Sequence, residues 1–157
     1  VRIGLISDTH GLLRPEALAA LEGSDRIVHA GDIGDPAILE RLARIAPVTA
    51  VRGNNDQGRE YARIPQTAVL EAGGLRLYLI HDVHELDLDR AAAGFRVVVS
   101  GHSHRPGQRE QGGVLYLNPG SAGPRRFSLP VSAGRLLIGN RGLEVELLDL
   151  LPPTAGK

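Results

Sequence analysis

The sequence predicts an α/β fold in which two β-sheets pack face to face with helices outside. Three observations predict it. In the first part of the chain, short apolar runs alternate with helix-like segments across brief connections, the pattern of a parallel sheet carrying helices. Further along, apolar runs are set off by Gly-rich turns, the pattern of hairpins. The 157 residues include two Phe, three Tyr and no Trp, while 42% are hydrophobic. The core must therefore be built from Leu, Val, Ile and Ala, as in tightly layered α/β proteins.

Taken in order, Arg2–Ser7 is a short apolar run that ends at Asp8-Thr9-His10-Gly11. Pro15–Leu21 reads as a helix with proline in its first turn and Glu16 near its N-terminus. Arg26–Ala30 is a second strand, broken by Gly31-Asp32, and Asp35-Pro36 opens a helix to about Arg44 with Asp35 as N-cap. Val48–Val51 is a third strand, stopped at Gly53-Asn54-Asn55. Thr67–Glu71 and Leu75–Ile80 form a hairpin across Ala72-Gly73-Gly74, and Asp89–Ala93 offers one brief helix. Arg96–Ser100, Val114–Leu117, Arg135–Ile138 and Leu143–Leu148 complete the strands. The length suits one domain over residues 1–150, followed by a C-terminal tail, 151–157, expected to be loose from Pro152 onward.

Composition narrows the function. Acidic and basic side chains balance at 18 each, which argues against a general nucleic-acid or membrane-surface binder. The absence of cysteine excludes disulfides and thiolate metal sites, so any metal must sit on oxygen and imidazole ligands. No apolar run approaches the roughly 20 residues that span a bilayer. The chain opens directly on a strand-like run, which leads to the expectation of a cytoplasmic protein without a secretion signal.

Position is the informative feature. Five apolar runs end in polar loops with metal-type ligands: Asp8-Thr9-His10, Gly31-Asp32, Gly53-Asn54-Asn55-Asp56, His81-Asp82 and Gly101-His102-Ser103-His104. Loops beyond the carboxyl ends of strands are where open α/β sheets bind ligands. Singly, each has an ordinary reading. Asp32 alone suits a turn or cap, Asn54-Asn55 an ordinary turn, and His81 a hydrogen-bonded structural residue. His102 and His104 differ, because imidazoles at i and i+2 of an extended segment share a side. Four of the six histidines lie in these loops, which unrelated turn chemistry does not explain.

Together the blocks Asp8-x-His10, Gly31-Asp32, Gly53-Asn54, His81 and Gly101-His102-x-His104 resemble, in order, those of the calcineurin-like metallophosphoesterases. The Ser-Asp-Thr-His-Gly opening, His-Ala-Gly-Asp at 29–32 and Asn118-Pro119-Gly120-Ser121 resemble the small prokaryotic YfcE-type phosphodiesterase branch. The resemblance implies a two-sheet β-sandwich flanked by helices, four layers in the order αββα. It also implies one metal on Asp8, His10 and His104, another on Asn54, His81 and His102, and Asp32 bridging them. These seven residues are then the catalytic set, acting through the metals. Manganese is the expected ion, with iron, zinc, nickel or cobalt as alternatives, all compatible with nitrogen and oxygen ligands.

The chemistry fits these residue types. Two divalent ions lower the pKa of a bridging water, so that hydroxide is available to attack phosphorus, and they clamp phosphate oxygens. Two aspartates among neutral ligands leave about one net positive charge after the hydroxide is counted, which suits an anionic ester. The chain departs from the resemblance at two positions. Asn55 stands where a histidine general acid is usual, with His84 as a possible substitute or an ordinary exposed residue. Asp82 replaces the usual glycine after His81 and is expected to orient His81 or a neighbouring imidazole. His29 is expected to be packed behind the ligands, and Asp35 and Asp56 to cap or turn. Arg14 and Arg105 could meet phosphate but more simply solvate the surface, while Asn118 and Ser121 brace the His102/His104 loop. The expected function is hydrolysis of a small phosphate ester, a phosphodiester first. The alternatives are a phosphomonoesterase and a non-catalytic scaffold resembling the small retromer subunit. The sequence gives no positive sign of nucleic-acid binding and none of an oligomeric state.

Overall fold

A computed structural model describes residues 1–86 and 94–151. The first sheet contains β1 (Arg2–Ile6), β2 (Arg26–His29), β3 (Val48–Ala50), β9 (Ser132–Gly139) and β10 (Gly142–Asp149), in the order β10-β9-β1-β2-β3. The second contains β4 (Thr67–Ala72), β5 (Leu75–Ile80), β6 (Val97–Val99), β7 (Gly107–Gln111) and β8 (Val114–Asn118), in the order β4-β5-β6-β8-β7. Within each sheet three neighbouring strands run parallel: β1, β2 and β3 in one, β5, β6 and β8 in the other. The outer strands are antiparallel.

Side-chain alternation explains the layering. Ile3 and Leu5 of β1 turn inward and pack with Leu77, Leu79, Val97, Val99 and Leu117 of the facing sheet. Ile6 and Ile27 turn outward, against α1 (Pro15–Leu21) and α2 (Ala37–Ala43), which bury Ala17, Leu21, Ile38 and Leu42. A strand with both faces covered reads as continuous apolar sequence, which is why β1 shows no polar alternation. The outer face of the second sheet, Tyr78, Ile80 and Val98, is met by Val83, Leu86 and Phe95.

The two-sheet sandwich agrees with expectation. Helix α1 has the expected bounds, and α2 begins at Ala37, after Asp35 has capped the chain by accepting the Ala37 N–H at 3.0 Å. Strand β7 was not expected: Gly107–Gln111 is largely exposed and has no apolar face to read. The Gly112-Gly113 turn before Val114 was the available signal. Strand β9 starts three residues before the expected Arg135. The helix expected over 89–93 and the tail from Pro152 lie outside the described residues. Among the described residues, no helix is long and apolar enough to cross a membrane.

Candidate metal centre

Every block singled out in the sequence follows a parallel strand. Asp8 and His10 follow β1, Asp32 follows β2 and Asn54 follows β3, while His81 follows β5 and His102 and His104 follow β6. Asn118 closes β8. The two sheets thus present their parallel carboxyl ends to one seam.

Asp8 lies at its centre and is fully buried. Its Oδ2 accepts the Ser7 hydroxyl at 2.7 Å and the His102 backbone N–H at 3.1 Å. Its Oδ1 has no hydrogen-bond partner and lies 3.8 Å from His10 Nε2, 3.8 Å from His81 Nε2 and 3.5 Å from His104 Nε2. The His10 and His104 Nε2 atoms are 3.3 Å apart. Close approach here depends on Gly101, where a Cβ would fall 2.6 Å from Asp8 Oδ2.

Asp32 supplies the second carboxylate. Its Oδ1 accepts the Asn55 backbone N–H at 3.0 Å and its Oδ2 accepts the Asn55 amide at 3.3 Å. Oδ2 also lies 3.3 Å from His81 Nε2 and 3.8 Å from His10 Nε2. His81 directs Nδ1 at the Ala30 carbonyl, 2.7 Å away, so Nδ1 carries a proton and Nε2 faces both carboxylates. Behind this ring, buried Asp56 accepts the N–H groups of Ile33, Gly34 and Gly53. It joins the Asp32 loop to the Asn54 loop, a longer reach than the turn expected of it.

His29 lies behind the ligands, as expected. Its Nδ1 accepts the Gly31 N–H at 3.1 Å, so Nε2 donates to Thr9 Oγ1 at 3.0 Å, and Thr9 donates onward to the Ile33 carbonyl. Asn118 braces the His102/His104 loop through Gly101 O and Ser103 Oγ, and Ser121 donates to Asp8 O. Arg14 is occupied with the Gly123 carbonyl, and the Arg105 backbone N–H donates to Ser103 Oγ. Asp82 faces His102, with Oδ2 3.8 Å from its Nε2, and also accepts the His84 backbone N–H. His84 is exposed.

The expected ligands are not equally gathered. Among the described residues, two sets have ligand atoms within 4.8 Å of one another: Asp8, His10 and His104, and Asp8, Asp32 and His81. His102 lies outside both, with its ring centre 5.2 Å from that of His81 and its side chain 41% exposed. Asn54 is exposed beside His81. Asn55, which in the sequence marks only the place of the usual histidine, is here the residue that holds both Asp32 oxygens.

Backbone geometry marks the same residues. Asp8, His10, Asp32, His102 and His104 all have positive φ, between 46° and 72°. Such conformations cost about 1–3 kcal/mol each and cluster where the surrounding structure must aim a functional group. Electrostatics agree. Burial pushes the Asp8 carboxyl up, against the Ser7 bond and the nearby histidines. Burial acts the same way on Asp32, but the neighbouring His81 ring and the Asn55 bond outweigh it and hold this carboxyl at about 2. For His81, burial opposes the charged ring, yet Asp32 and Asp8 raise it overall. Burial lowers His29 to about 3. Burial likewise lowers His104, helped by the Arg126 charge.

These residues fit a divalent cation. Asp8 Oδ1 and His81 Nε2 are buried polar atoms without hydrogen-bond partners, and the Asp8 and Asp32 carboxylates converge on the His81 ring. Leaving such atoms unpaired costs about 1–3 kcal/mol each, and nitrogen and oxygen donors without sulfur suit a first-row metal.

The calcineurin-like phosphoesterase superfamily domain matches residues 1–141. A probable metallophosphoesterase of Methanothermobacter thermautotrophicus is 37% identical, over 93% of this chain and 91% of its own. A phosphodiesterase of Methanocaldococcus jannaschii is 28% identical, over 76% of this chain and 83% of its own. Among solved structures, Vacuolar Protein Sorting 29 of Cryptosporidium parvum shares the fold, with a TM-score of 0.75 over 94% of this chain and 96% of that one at 20% identity.

Proposed function

The chain belongs to the calcineurin-like phosphoesterase superfamily, and on that premise we propose that it is a phosphodiesterase working with two divalent ions, manganese first. The observation that carries this reading is Asp8 Oδ1, buried, unpartnered and faced by three imidazoles. Asp8, His10 and His104 would hold one ion. Asp32 and His81, with Asn54 and His102, would hold the other. The placement of Asp32 Oδ2 between His10 and His81 supports a bridging role for it. Bound divalent ions supply positive charge to the phosphoryl oxygens and make water a competent nucleophile near neutral pH.

The surrounding residues position this set. Ala30 O fixes the His81 tautomer, Asn55 holds both Asp32 oxygens, and Ser7 and the His102 N–H turn Asp8 so that Oδ1 faces the ligands. Asn55 is committed to Asp32 and His84 is exposed, so no protein group is assigned to protonate the leaving alcohol. Esters with good leaving groups are therefore favoured. A phosphomonoesterase would use the same ligands, and the likeness to the sorting protein supports a scaffold reading through the fold alone. A binding surface has no need of buried, unpaired ligand atoms.

The test is hydrolysis of bis(4-nitrophenyl) phosphate and 4-nitrophenyl phosphate after chelation and after manganese is restored. Turnover of the diester that vanishes with chelator and returns with manganese is expected. Turnover of the monoester alone would favour the phosphomonoesterase. No turnover in either state would leave the scaffold.

A further inference from the structure

A groove of about 610 Å³ opens beside the His81 end of the metal centre. Asn54 and His81 form its inner end, and the buried side chains Tyr78 and Ile80 of β5 form its floor. Arg52 and Gln57 come from the loop after β3, Gln66 and Thr67 from the start of β4, and Asp82 and Glu85 from the segment after β5. Its volume lies within the range of small-molecule sites.

The lining is specific in what it can hold. Arg52 Nε is buried without a hydrogen-bond partner, and among the described residues no ion pair engages its guanidinium. The same lining carries the carboxylates Asp82 and Glu85, besides Asp56, which is committed to backbone N–H groups, so a second phosphate would meet more negative charge than positive. Tyr78 is only 5% exposed, so it offers no face on which a nucleobase could stack. A vicinal diol satisfies both kinds of wall, donating its O–H groups to carboxylates and accepting from guanidinium and amide.

We propose that this groove binds one alcohol group of the ester, and that the group is a neutral polyol, glyceryl or glycosyl. The proposal rests on the phosphoesterase reading for the position of the phosphate at the inner end.

The manganese-loaded protein would be titrated calorimetrically with dimethyl phosphate, glyceryl methyl phosphate and glucosyl methyl phosphate. In parallel, turnover of the corresponding 4-nitrophenyl esters would be followed. The polyol esters are expected to bind at least tenfold more tightly than dimethyl phosphate. Glu85→Gln and Gln66→Ala, both outside the ligand sets, should bring that preference to within twofold while leaving dimethyl phosphate binding unchanged. Preference for one polyol ester over the other assigns the alcohol as glyceryl or glycosyl. Equal affinity for all three esters, or a preference untouched in both variants, overturns the proposal. A retained binding preference without turnover of any nitrophenyl ester would instead sink the phosphoesterase reading and leave the groove standing.

Discussion

Asp32 can serve two cation sites only if its carboxylate is held still, and Asn55 supplies that restraint through its backbone N–H and its amide. Residues that orient metal ligands typically govern affinity by about 10–100-fold. Asn55→Ala removes the amide bond but keeps the backbone one, so manganese affinity should fall about tenfold. Equilibrium titration with manganese checks this, and an unchanged affinity would show that the backbone bond suffices. His29 carries a different prediction. Its ring is neutral in the folded state down to about pH 3, whereas an unfolded histidine takes a proton near 6.5. Between those values the unfolded chain binds more protons, so stability declines as pH falls. From pH 6.5 to 5 the loss assigned to this residue is about 2 kcal/mol. His29→Gln should therefore weaken the fold at pH 7 yet show a shallower decline toward pH 5, read from urea midpoints at each pH.

At the scale of elements, helix α1 sits directly on β1 because Gly4 leaves room for it. A Cβ there would lie 2.6 Å from Leu21 Cδ2 and 2.7 Å from Ser24 Oγ. Gly4→Val should lift the helix and destabilise the protein by about 1–3 kcal/mol, the usual cost of overpacking. Manganese affinity should survive, because α1 supplies no ligand. Urea denaturation and metal titration separate the two effects. Gly4 also shows what the sequence hides. It sat within an apolar run and signalled only a strand, since the helix that needs its space is packed by tertiary contact. The candidate ligands stood out for the opposite reason: each lies in a short polar loop ending an apolar strand, and their order carried the family resemblance. Asn55 and Asp56 were not legible as positioning residues, because their distant partners are Asp32 and the Ile33 and Gly34 N–H groups, in folded contact across loops. Nor was the left-handed backbone of Asp8, His10, Asp32, His102 and His104: Asp and His adopt it more readily than most residues, but the folded contacts of each loop decide where they do. Strand β7 escaped because its residues bury nothing that would impose a period.

Among the described residues, the two sheets share an apolar core and, where the carboxyl ends of their parallel strands meet, one gathering of carboxylates and imidazoles. Asp8, His10 and Asp32 come from one sheet, and His81 and His104 from the other, so a bound cation ties the sheets together. An ion that binds only the folded state stabilises it by about 2.7 kcal/mol at 100 times its Kd. For a chain of this length that corresponds to a rise in Tm of about 5–10 °C. Asp8 belongs to both ligand sets, so Asp8→Asn should abolish most of the rise. The same substitution should act in the opposite direction without metal. Burial disfavours the Asp8 carboxylate, and its Oδ1 has no partner. A neutral amide keeps an oxygen for the Ser7 and His102 bonds while removing the buried charge. Thermal melts of both proteins, with chelator and with manganese, should therefore cross: Asp8→Asn higher in chelator, wild type higher in manganese. Melting curves that fail to cross, with wild type the more stable in both, would mean that Asp8 is held for the fold and not for the cation.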